Sequence, residues 1–205
     1  VGIEEPLACI VETAYVNEAA RGVTASMVSR GEKPSVISAL MKYQTTERLR
    51  RAVNDAMDIH GGRAICDGPS NYLQSAYEMA PVGITVEGAN ILTRTLITFA
   101  QGALRSHPYL IREIQSAQNP DREKGFELFE DAFLSHIAHS VSNMAGAFFH
   151  NITFGFFAPA PSAVADLKPH YRQLSRAARN FAVVSDMTIA TLGGGLKTKQ
   201  KICGR

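Results

Sequence analysis

Hydrophobic residues recur along most of the chain at intervals of three and four positions, which is the spacing of one face of an α-helix. The first such segment follows Pro6, which suits the start of a helix because its missing N–H costs nothing there. Gly31 is placed to end that helix as a C-cap. Its apolar face consists of Leu7, Ile10, Val11, Ala14, Tyr15 and Ala19. Short alternating runs are scarce and unpaired, so the pattern predicts an all-α fold.

A second helix is predicted from Ser35 to His60, where Gly61-Gly62 ends it. Its charged residues, among them Lys42 and Glu47, are assigned to the outer, solvent-facing side of the helix. Residues 62–84 are rich in glycine and proline and predict a long irregular connection with one helical turn near 73–78. The further predicted helices span residues 88–105, 108–118, 121–151 and 166–192.

Asn119-Pro120-Asp121 interrupts the helical pattern and is the best internal boundary. It predicts a helical bundle over residues 1–118 and an additional helical region over 119–205. Because the sequence opens at Val1 and stops within a basic run, we expect it to be a piece of a longer protein, truncated at its end.

The composition excludes several classes of protein. With 45% hydrophobic and 20% charged residues, the chain is not expected to be disordered. Its net charge of +2 gives no basic excess for binding nucleic acid. The three cysteines are widely spaced, which excludes a disulfide framework or a cysteine-rich zinc site and fits a reducing, cytoplasmic compartment. No apolar run is long enough to span a membrane.

Glu87 is the first candidate for chemistry, since it is the one charged residue in the apolar run 84–92, at the start of a predicted helix. An acidic residue is favourable in the first turn of a helix, so a structural role is one interpretation. The other is a general base held in an apolar cavity, where loss of hydration makes a carboxylate more reactive. The following Gly88 would let a ligand approach the backbone closely.

The Gly61-Gly62 pair is the second candidate. A glycine pair after a helix is most often a C-cap and a turn. Exposed backbone N–H groups can instead bind a phosphate if a partner element completes the site.

Together these segments resemble the C-terminal helical domain of acyl-CoA dehydrogenases. In that family a helix ends in a Gly-Gly turn, and a loop then leads to a Tyr-Glu-Gly-Thr-like motif with the catalytic glutamate. Here Gly61-Gly62 ends a helix, and Glu87 follows 26 residues after Gly61. The segments 31–35, 84–94, 101–103 and 107–109 are similar to the large bacterial long-chain enzymes of fatty-acid β-oxidation. The glycine run within 192–197 looks like their extra C-terminal region.

The resemblance implies that Glu87 removes the α-proton of a fatty acyl-CoA while a hydride passes from the β-carbon to FAD. The backbone N–H of Glu87 would hold the thioester oxygen. Val86 and Gly88 would also contact substrate. The glycine pair would meet the FAD pyrophosphate across a subunit boundary. The residues implied to contact FAD are Gly61, Gly62, Gly88, Ala89 and Asn90.

The sequence departs from the family pattern at four positions. The family usually has Gln, Thr and Gln where this chain has Asp58, Ala89 and Ile91, so side-chain hydrogen bonds to the cofactor are lost at the last two positions. Val86 replaces a usual aromatic residue. The smaller side chain beside the base leads us to expect room for longer acyl chains.

His136 and His139 lie three residues apart on the predicted helix 121–151. Metal binding needs convergent ligands, and no third ligand stands at helical spacing, so the pair is interpreted as surface or packing and no metal is predicted.

Five phenylalanines precede a Pro-rich linker at 158–161 and are expected to form core or a subunit interface. They are Phe148, Phe149, Phe154, Phe156 and Phe157. The alternative is contact with a partner or a membrane, which the basic residues Lys197, Lys199, Lys201 and Arg205 would favour at an anionic surface.

Two functions follow. The first is part of an FAD-dependent fatty acyl-CoA dehydrogenase, inactive as a fragment because most of the flavin pocket lies in other domains. Its implied partners are electron transfer flavoprotein as oxidant and a second copy of itself in a homodimer or larger homo-oligomer. It would be cytoplasmic in bacteria, with contact to the inner membrane as a further option. The second function is a non-catalytic helical module for dimerisation or membrane docking.

Overall fold

A computed structural model describes residues 2–95, 102–162 and 165–203. These residues form helices and turns and contain no strand, so the predicted all-α fold is confirmed. They fold as two compact units, one from residues 1–102 with 200–205 and the other from residues 103–199. No helix among the described residues is both long and apolar enough to cross a bilayer.

The first unit is organised around its second helix. Its helices are α1 (Glu4–Ser29), α2 (Ser35–His60), α3 (Gly62–Ile65), α4 (Gln74–Thr85) and the single turn α5 (Asn90–Leu92). Helices α1, α3 and α4 all pack against α2. Small buried residues, Val53 on α2, Ala64 on α3 and Ala80 on α4, allow these close approaches. The central position of α2 allows one helix to support both candidate segments.

The first predicted helix is confirmed as α1, but the described residues leave its apolar face uncovered. Leu7, Val11 and Tyr15 are 47%, 67% and 76% exposed. The described element that packs against α1 is α2, and it contacts only one side of the helix. Periodicity therefore identified the helix correctly, although its apolar face is largely exposed in this chain.

The predicted irregular connection over residues 62–84 is wrong at 62–65 and 79–84, which are helical, whereas the helical turn predicted near 73–78 lies within α4. It contains α3 and the twelve-residue α4, which has Pro81 inside it. A proline within a helix removes one hydrogen bond and crowds the preceding turn. Packing of α4 against α2 buries the neighbouring Ala80 and compensates for that cost.

The helix predicted over residues 88–105 begins later than expected, at Asn90. Glu87 and Gly88 have φ angles of +53° and +90°, which no α-helix contains. Residues 96–101 of this prediction lie outside the described residues. The chain is helical again in α6 (Gly102–Ser106).

The second unit is organised around one long helix. It contains α7 (Leu110–Ala117), α8 (Arg122–Ile152) and α9 (Lys168–Leu192), with 3-10 turns at 165–167 and 193–197. The short α10 (Gln200–Cys203) follows and belongs to the first unit. Helices α7 and α9 both pack against α8. Asp121 starts α8, since its carboxylate accepts hydrogen bonds from the backbone N–H groups of Glu123 and Lys124 at 3.2 and 3.3 Å.

The break expected at residues 119–121 is thus a real helix boundary, but α7 and α8 on its two sides pack within one unit. The two compact units divide instead between Gly102 and Ala103. The division into domains 1–118 and 119–205 stays a prediction.

Helices α7 and α8 approach most closely at Gly125. A Cβ at this position would lie 2.8 Å from the carbonyl oxygen of Ser116 and 3.0 Å from Cβ of Asn119. We expect Gly125→Ala to lower the free energy of unfolding by about 1–2 kcal/mol, because the crowding outweighs alanine's better helix propensity. Gly22→Ala in α1 is the control: an added Cβ there meets nothing within 4 Å, so this substitution should stabilise. Urea denaturation followed by circular dichroism measures the free energy of unfolding of both variants. Equal effects of the two substitutions would contradict the close approach of α7 and α8 at Gly125.

Candidate functional site

Glu87 lies in the short link between α4 and α5. The chain is extended at Val86 (φ −86°, ψ 159°), then takes positive φ at Glu87 and Gly88 before Ala89 (φ −51°, ψ 140°) leads into α5. Positive φ costs a residue other than glycine about 1–2 kcal/mol. Surrounding structure must therefore hold Glu87 in this conformation.

Glu87 and Val86 are both exposed. The expectation that apolar residues of this chain shield the carboxylate from water is therefore wrong for the chain by itself. What the chain does provide is a fixed backbone on which the carboxylate is presented outward.

Lys42 on α2 bonds to both sides of this link. Its ammonium donates to the carbonyl oxygen of Gly88 at 2.7 Å, to Oδ1 of Asn90 at 2.7 Å and to the carbonyl oxygen of Ile84 at 3.3 Å. An ammonium has three N–H donors, so all of them are used within the segment that contains Glu87. The assignment of Lys42 to the solvent-facing side of α2 is wrong.

Asn90 joins Lys42 to the rest of α2. It is 3% exposed, and its amide nitrogen donates to Oγ1 of Thr46 at 2.9 Å and to Oε1 of Glu47 at 3.0 Å. The side chain of Thr93, a residue 2% exposed, adds a hydrogen bond to the carbonyl oxygen of Gly88 at 3.2 Å. The Glu47 carboxylate thus balances the charge of Lys42 through a buried amide whose orientation its partners fix.

The glycine pair forms the junction between α2 and α3. Gly61 has φ +58° and its N–H donates to the carbonyl oxygen of Met57 at 2.9 Å, which ends α2. A Cβ built on Gly61 or Gly62 meets no atom within 4 Å, so the backbone is open on that side. His60 donates from Nδ1 to the carbonyl oxygen of Ala56 at 2.8 Å, and its Nε2 lies 2.6 Å from the Tyr72 hydroxyl.

The structure does not bring Glu87 and the glycine pair together. Gly88 is bonded to Lys42, and Lys42 precedes Gly61 by 19 residues along the continuous helix α2. At 1.5 Å per residue this separation is about 28 Å. The two predicted parts of the site therefore lie near opposite ends of α2.

A cluster of titratable side chains lies in the second unit, where α7, α8 and α9 pack. Nε2 of His107 lies 2.9 Å from Oδ1 of Asp186, and Nδ1 of His136 lies 2.7 Å from Oε1 of Glu113. The other carboxylate oxygen of Asp186 accepts from the Ser140 hydroxyl at 2.6 Å. The four His, Asp and Glu side chains are between 8% and 19% exposed. These pairs link the three helices in a nearly buried setting.

The cluster also has the spacing of a metal site, since one ligand atom each of His107, His136 and Asp186 lie within 4.8 Å of one another. The expectation that His136 has no convergent third ligand is therefore wrong. However, Nδ1 of His107 accepts from the backbone N–H groups of Tyr109 and Leu110, each at 3.2 Å. The proton of a neutral His107 then lies on Nε2, where it bonds to Asp186 instead of leaving a lone pair for a metal. The partners favour a hydrogen-bonded link, and the absence of a metal stays a prediction.

The five clustered phenylalanines, residues 148–157, are 46% to 76% exposed in this chain. Phe149 stacks on Phe157 at 5.8 Å, and the guanidinium of Arg172 lies 4.9 Å from the ring centroid of Phe156. Their interpretation as core is wrong, while a subunit interface or contact with another partner stays a prediction. Arg205, one of the basic residues considered with them, lies outside the described residues.

Comparison with protein families gives two matches that together leave out only residues 1–5, 102 and 103. The model for the acyl-CoA dehydrogenase C-terminal domain matches residues 6–101, and the model for the C-terminal, bacterial type matches residues 104–205. The chain belongs to the acyl-CoA dehydrogenase family. No solved structure matches it significantly.

The predicted resemblance is thereby confirmed at the level of the acyl-CoA dehydrogenase family, whose members are FAD-dependent in general. The two matches divide where the compact units divide, near residues 102–103. Glu87 and the glycine pair lie in the general C-terminal match, and the His107 cluster lies in the bacterial-type match.

Sequence reasoning missed the residues that hold the Glu87 loop in this acyl-CoA dehydrogenase chain. A usable signal was present: Lys42 and Thr46 stand at positions i and i+4 of α2 and lie on the same side of the helix, and Glu47 follows Thr46. A polar stripe on a helix that carries apolar residues elsewhere can indicate a buried polar contact. Periodicity alone does not identify the partner loop.

Proposed function

We propose that this chain is the C-terminal part of an FAD-dependent dehydrogenase that oxidises fatty acyl-CoA to trans-2-enoyl-CoA in β-oxidation, with Glu87 as the catalytic base. The observation that supports the proposal best is the positive-φ link at Glu87 and Gly88, which buried polar residues fix within the part that matches the family. Strain of this kind is characteristic of functional sites.

The chain's own residues would act on the substrate as follows. The Glu87 carboxylate accepts the proton that leaves the α-carbon, and its backbone N–H donates to the thioester oxygen, which stabilises the negative charge that develops there. Bound FAD supplies the acceptor for the hydride that leaves the β-carbon, so that a double bond forms between the two carbons. Val86 and Gly88 contact the acyl-CoA beside the base. Other domains of the complete enzyme enclose Glu87, which is exposed in this chain.

FAD would be held at two separate places. Gly61 and Gly62 leave space beside the backbone into which a pyrophosphate fits, because a Cβ at either position would project into open volume. Gly88 and Ala89 would contact the flavin portion. The Asn90 side chain is buried and bonded to Lys42, Thr46 and Glu47, so we limit its proposed FAD contact to the backbone.

The separation of about 28 Å along α2 supports a homo-oligomer. A glycine pair that far from Glu87 serves a different FAD from the one beside Glu87 of the same chain. A homodimer is the smallest assembly in which each FAD receives both sets of contacts, and the fragment alone would be inactive.

The experiment that tests the proposal uses the complete enzyme. It should purify yellow with bound FAD, and a long-chain acyl-CoA added without oxygen should bleach the flavin absorbance. Reoxidation by electron transfer flavoprotein tests the proposed oxidant in the same sample. A colourless protein, or a flavin that acyl-CoA leaves oxidised, would contradict the proposal.

Val86 is 48% exposed next to the base, where it would contact the acyl chain. We expect Val86→Tyr to lower kcat/KM for palmitoyl-CoA relative to octanoyl-CoA by about tenfold, because a larger side chain removes room for the longer chain. Val82→Tyr, one turn earlier on α4 and 52% exposed, is the matched control and should leave the ratio unchanged. An unchanged ratio in Val86→Tyr would refute the role of Val86 in chain-length preference.

The second candidate is a non-catalytic docking module, and the exposed phenylalanines at 148–157 favour it. The structural role considered for Glu87, an acid in the first turn of a helix, is wrong, because α5 begins at Asn90. Such a surface would bind a second copy, or the inner membrane from the cytoplasmic side. Co-sedimentation with anionic lipid vesicles at low salt tests binding to the membrane. Protein that stays in the supernatant would exclude membrane binding.

A further inference from the structure

We infer that Lys42 is a positioning residue that holds Glu87 in the conformation needed for proton abstraction, an inference that rests on the proposed function. Lys42 donates to the carbonyl oxygens of Ile84 and Gly88, on either side of Glu87. Hydrogen bonds on both sides of a residue restrict the backbone at both ends of its segment. A single hydrogen bond would leave the other end free to move.

The positive φ at Glu87 is the conformation that needs holding. A glutamate released from its anchors gains free energy by returning to an ordinary backbone conformation, which would re-aim its side chain and its N–H. The adjacent Gly88 takes positive φ without that cost. The anchors therefore oppose relaxation at Glu87 itself.

A neutral side chain could not replace Lys42 in this arrangement. Its ammonium bonds to three oxygens: the carbonyl oxygen of Gly88 in the link, that of Ile84 in the last turn of α4, and Oδ1 of buried Asn90. Asn90 in turn donates to the Glu47 carboxylate, so the half-buried positive charge has a negative counterpart through one amide. Charge-assisted bonds of this kind are about twice as strong as neutral ones.

The loss of Lys42 would loosen the link without unfolding it. Thr93 still donates to the carbonyl oxygen of Gly88 at 3.2 Å, and α4 and α2 remain packed together. The expected effect is thus a displaced base on an intact unit. A misplacement of about 1 Å at a reacting group costs about 10²-fold in rate.

The experiment measures anaerobic flavin reduction by saturating palmitoyl-CoA in the complete holoenzyme, in a single turnover. Lys42→Met keeps the length of the side chain and removes its donors. We expect the rate of flavin reduction at saturating palmitoyl-CoA to fall by about 10²-fold, while the FAD content changes by less than about threefold. If Lys42→Met fails to retain FAD, Lys42→Gln takes its place with the same expectation. Lys33→Met, at an exposed lysine, is the control and should leave the rate unchanged.

A double variant separates positioning from a general structural role. If Lys42 acts through Glu87, then Lys42→Met adds less than about a threefold loss in a Glu87→Gln background. A full further loss of about 10²-fold there, or an unchanged rate in the single variant, would overturn the inference. Rapid flavin reduction by Glu87→Gln alone would instead refute the proposed function, so the two failures are distinguishable.

Discussion

In the complete enzyme, Glu87→Gln is expected to lower the rate of flavin reduction by acyl-CoA by about 10⁴-fold, the upper end of what a general base contributes. Glutamine keeps the shape of the side chain and cannot accept the α-proton. The backbone at residue 87 keeps its anchors from Lys42, so substrate binding through the N–H of residue 87 should persist. Stopped-flow absorbance under anaerobic conditions measures the rate, and the Kd for acyl-CoA should change by less than about threefold.

Two further variants test whether this loss reflects the base itself. Glu87→Asp keeps a carboxylate but withdraws it by about 1.5 Å, so it should lose about 10²-fold, between wild type and Glu87→Gln. Glu5→Gln makes the same chemical change at an exposed residue of α1 and should have no effect. Flavin bleaching at the wild-type rate in Glu87→Gln would leave Glu87 without a catalytic role and favour the docking module.

The helices that were predicted well are those whose limits depend on local chemistry. Gly31 follows the end of α1, Pro34 and Gly61 flank α2, and Asp121 caps α8 with its own side chain. Helix α1 begins at Glu4, two residues before the predicted start at Pro6. Such signals act within one or two turns, so the sequence contains all the information they need. Helix α4 was predicted as only one turn, near residues 73–78, because the rest of it depends on packing against α2, which outweighs the local cost of Pro81.

In the candidate site, too, features set by local sequence were predicted, and features that depend on distant contacts were not. The link at Glu87 and the junction at Gly61 were predicted, because each is a short motif next to a helix end. The anchors of that link were not, since Lys42 lies 46 residues from Gly88 along the chain and 48 from Asn90. The exposure of Glu87 was missed for another reason: an apolar run in the sequence does not show whether its residues fold over the side chain between them.

In the second unit, the group that converges on His136 was not predicted because it does not stand at helical spacing on the same helix. The residue that faces His136 and His107 is Asp186, which is brought there from α9 by packing against α8. His107 precedes Asp186 by 79 residues, a separation that no periodic pattern reports. Polar groups that converge from three helices must be found in the structure.

The same cluster gives the largest expected effect on stability. Asp186 accepts hydrogen bonds from His107 at 2.9 Å and from Ser140 at 2.6 Å, and its side chain is only 14% exposed. We expect Asp186→Ala to lower the free energy of unfolding by about 3–4 kcal/mol, because it leaves two nearly buried donors without an acceptor. Circular dichroism during urea denaturation measures the change in the free energy of unfolding. Hydrogen exchange of the amides in α7, α8 and α9 shows which helices lose protection.

Two substitutions show whether that loss comes from the unsatisfied donors. Asp186→Asn keeps one oxygen that can accept from His107, so its cost should fall to about 1–2 kcal/mol. Asp131→Ala removes a carboxylate of the same unit whose ion pair with Arg112, at 3.3 Å, is exposed, and it should cost less than about 0.5 kcal/mol. If Asp186→Ala were no more destabilising than Asp131→Ala, the buried cluster would not link the three helices. A cost confined to the amides of one helix would lead to the same conclusion, since a link among α7, α8 and α9 must protect all of them together.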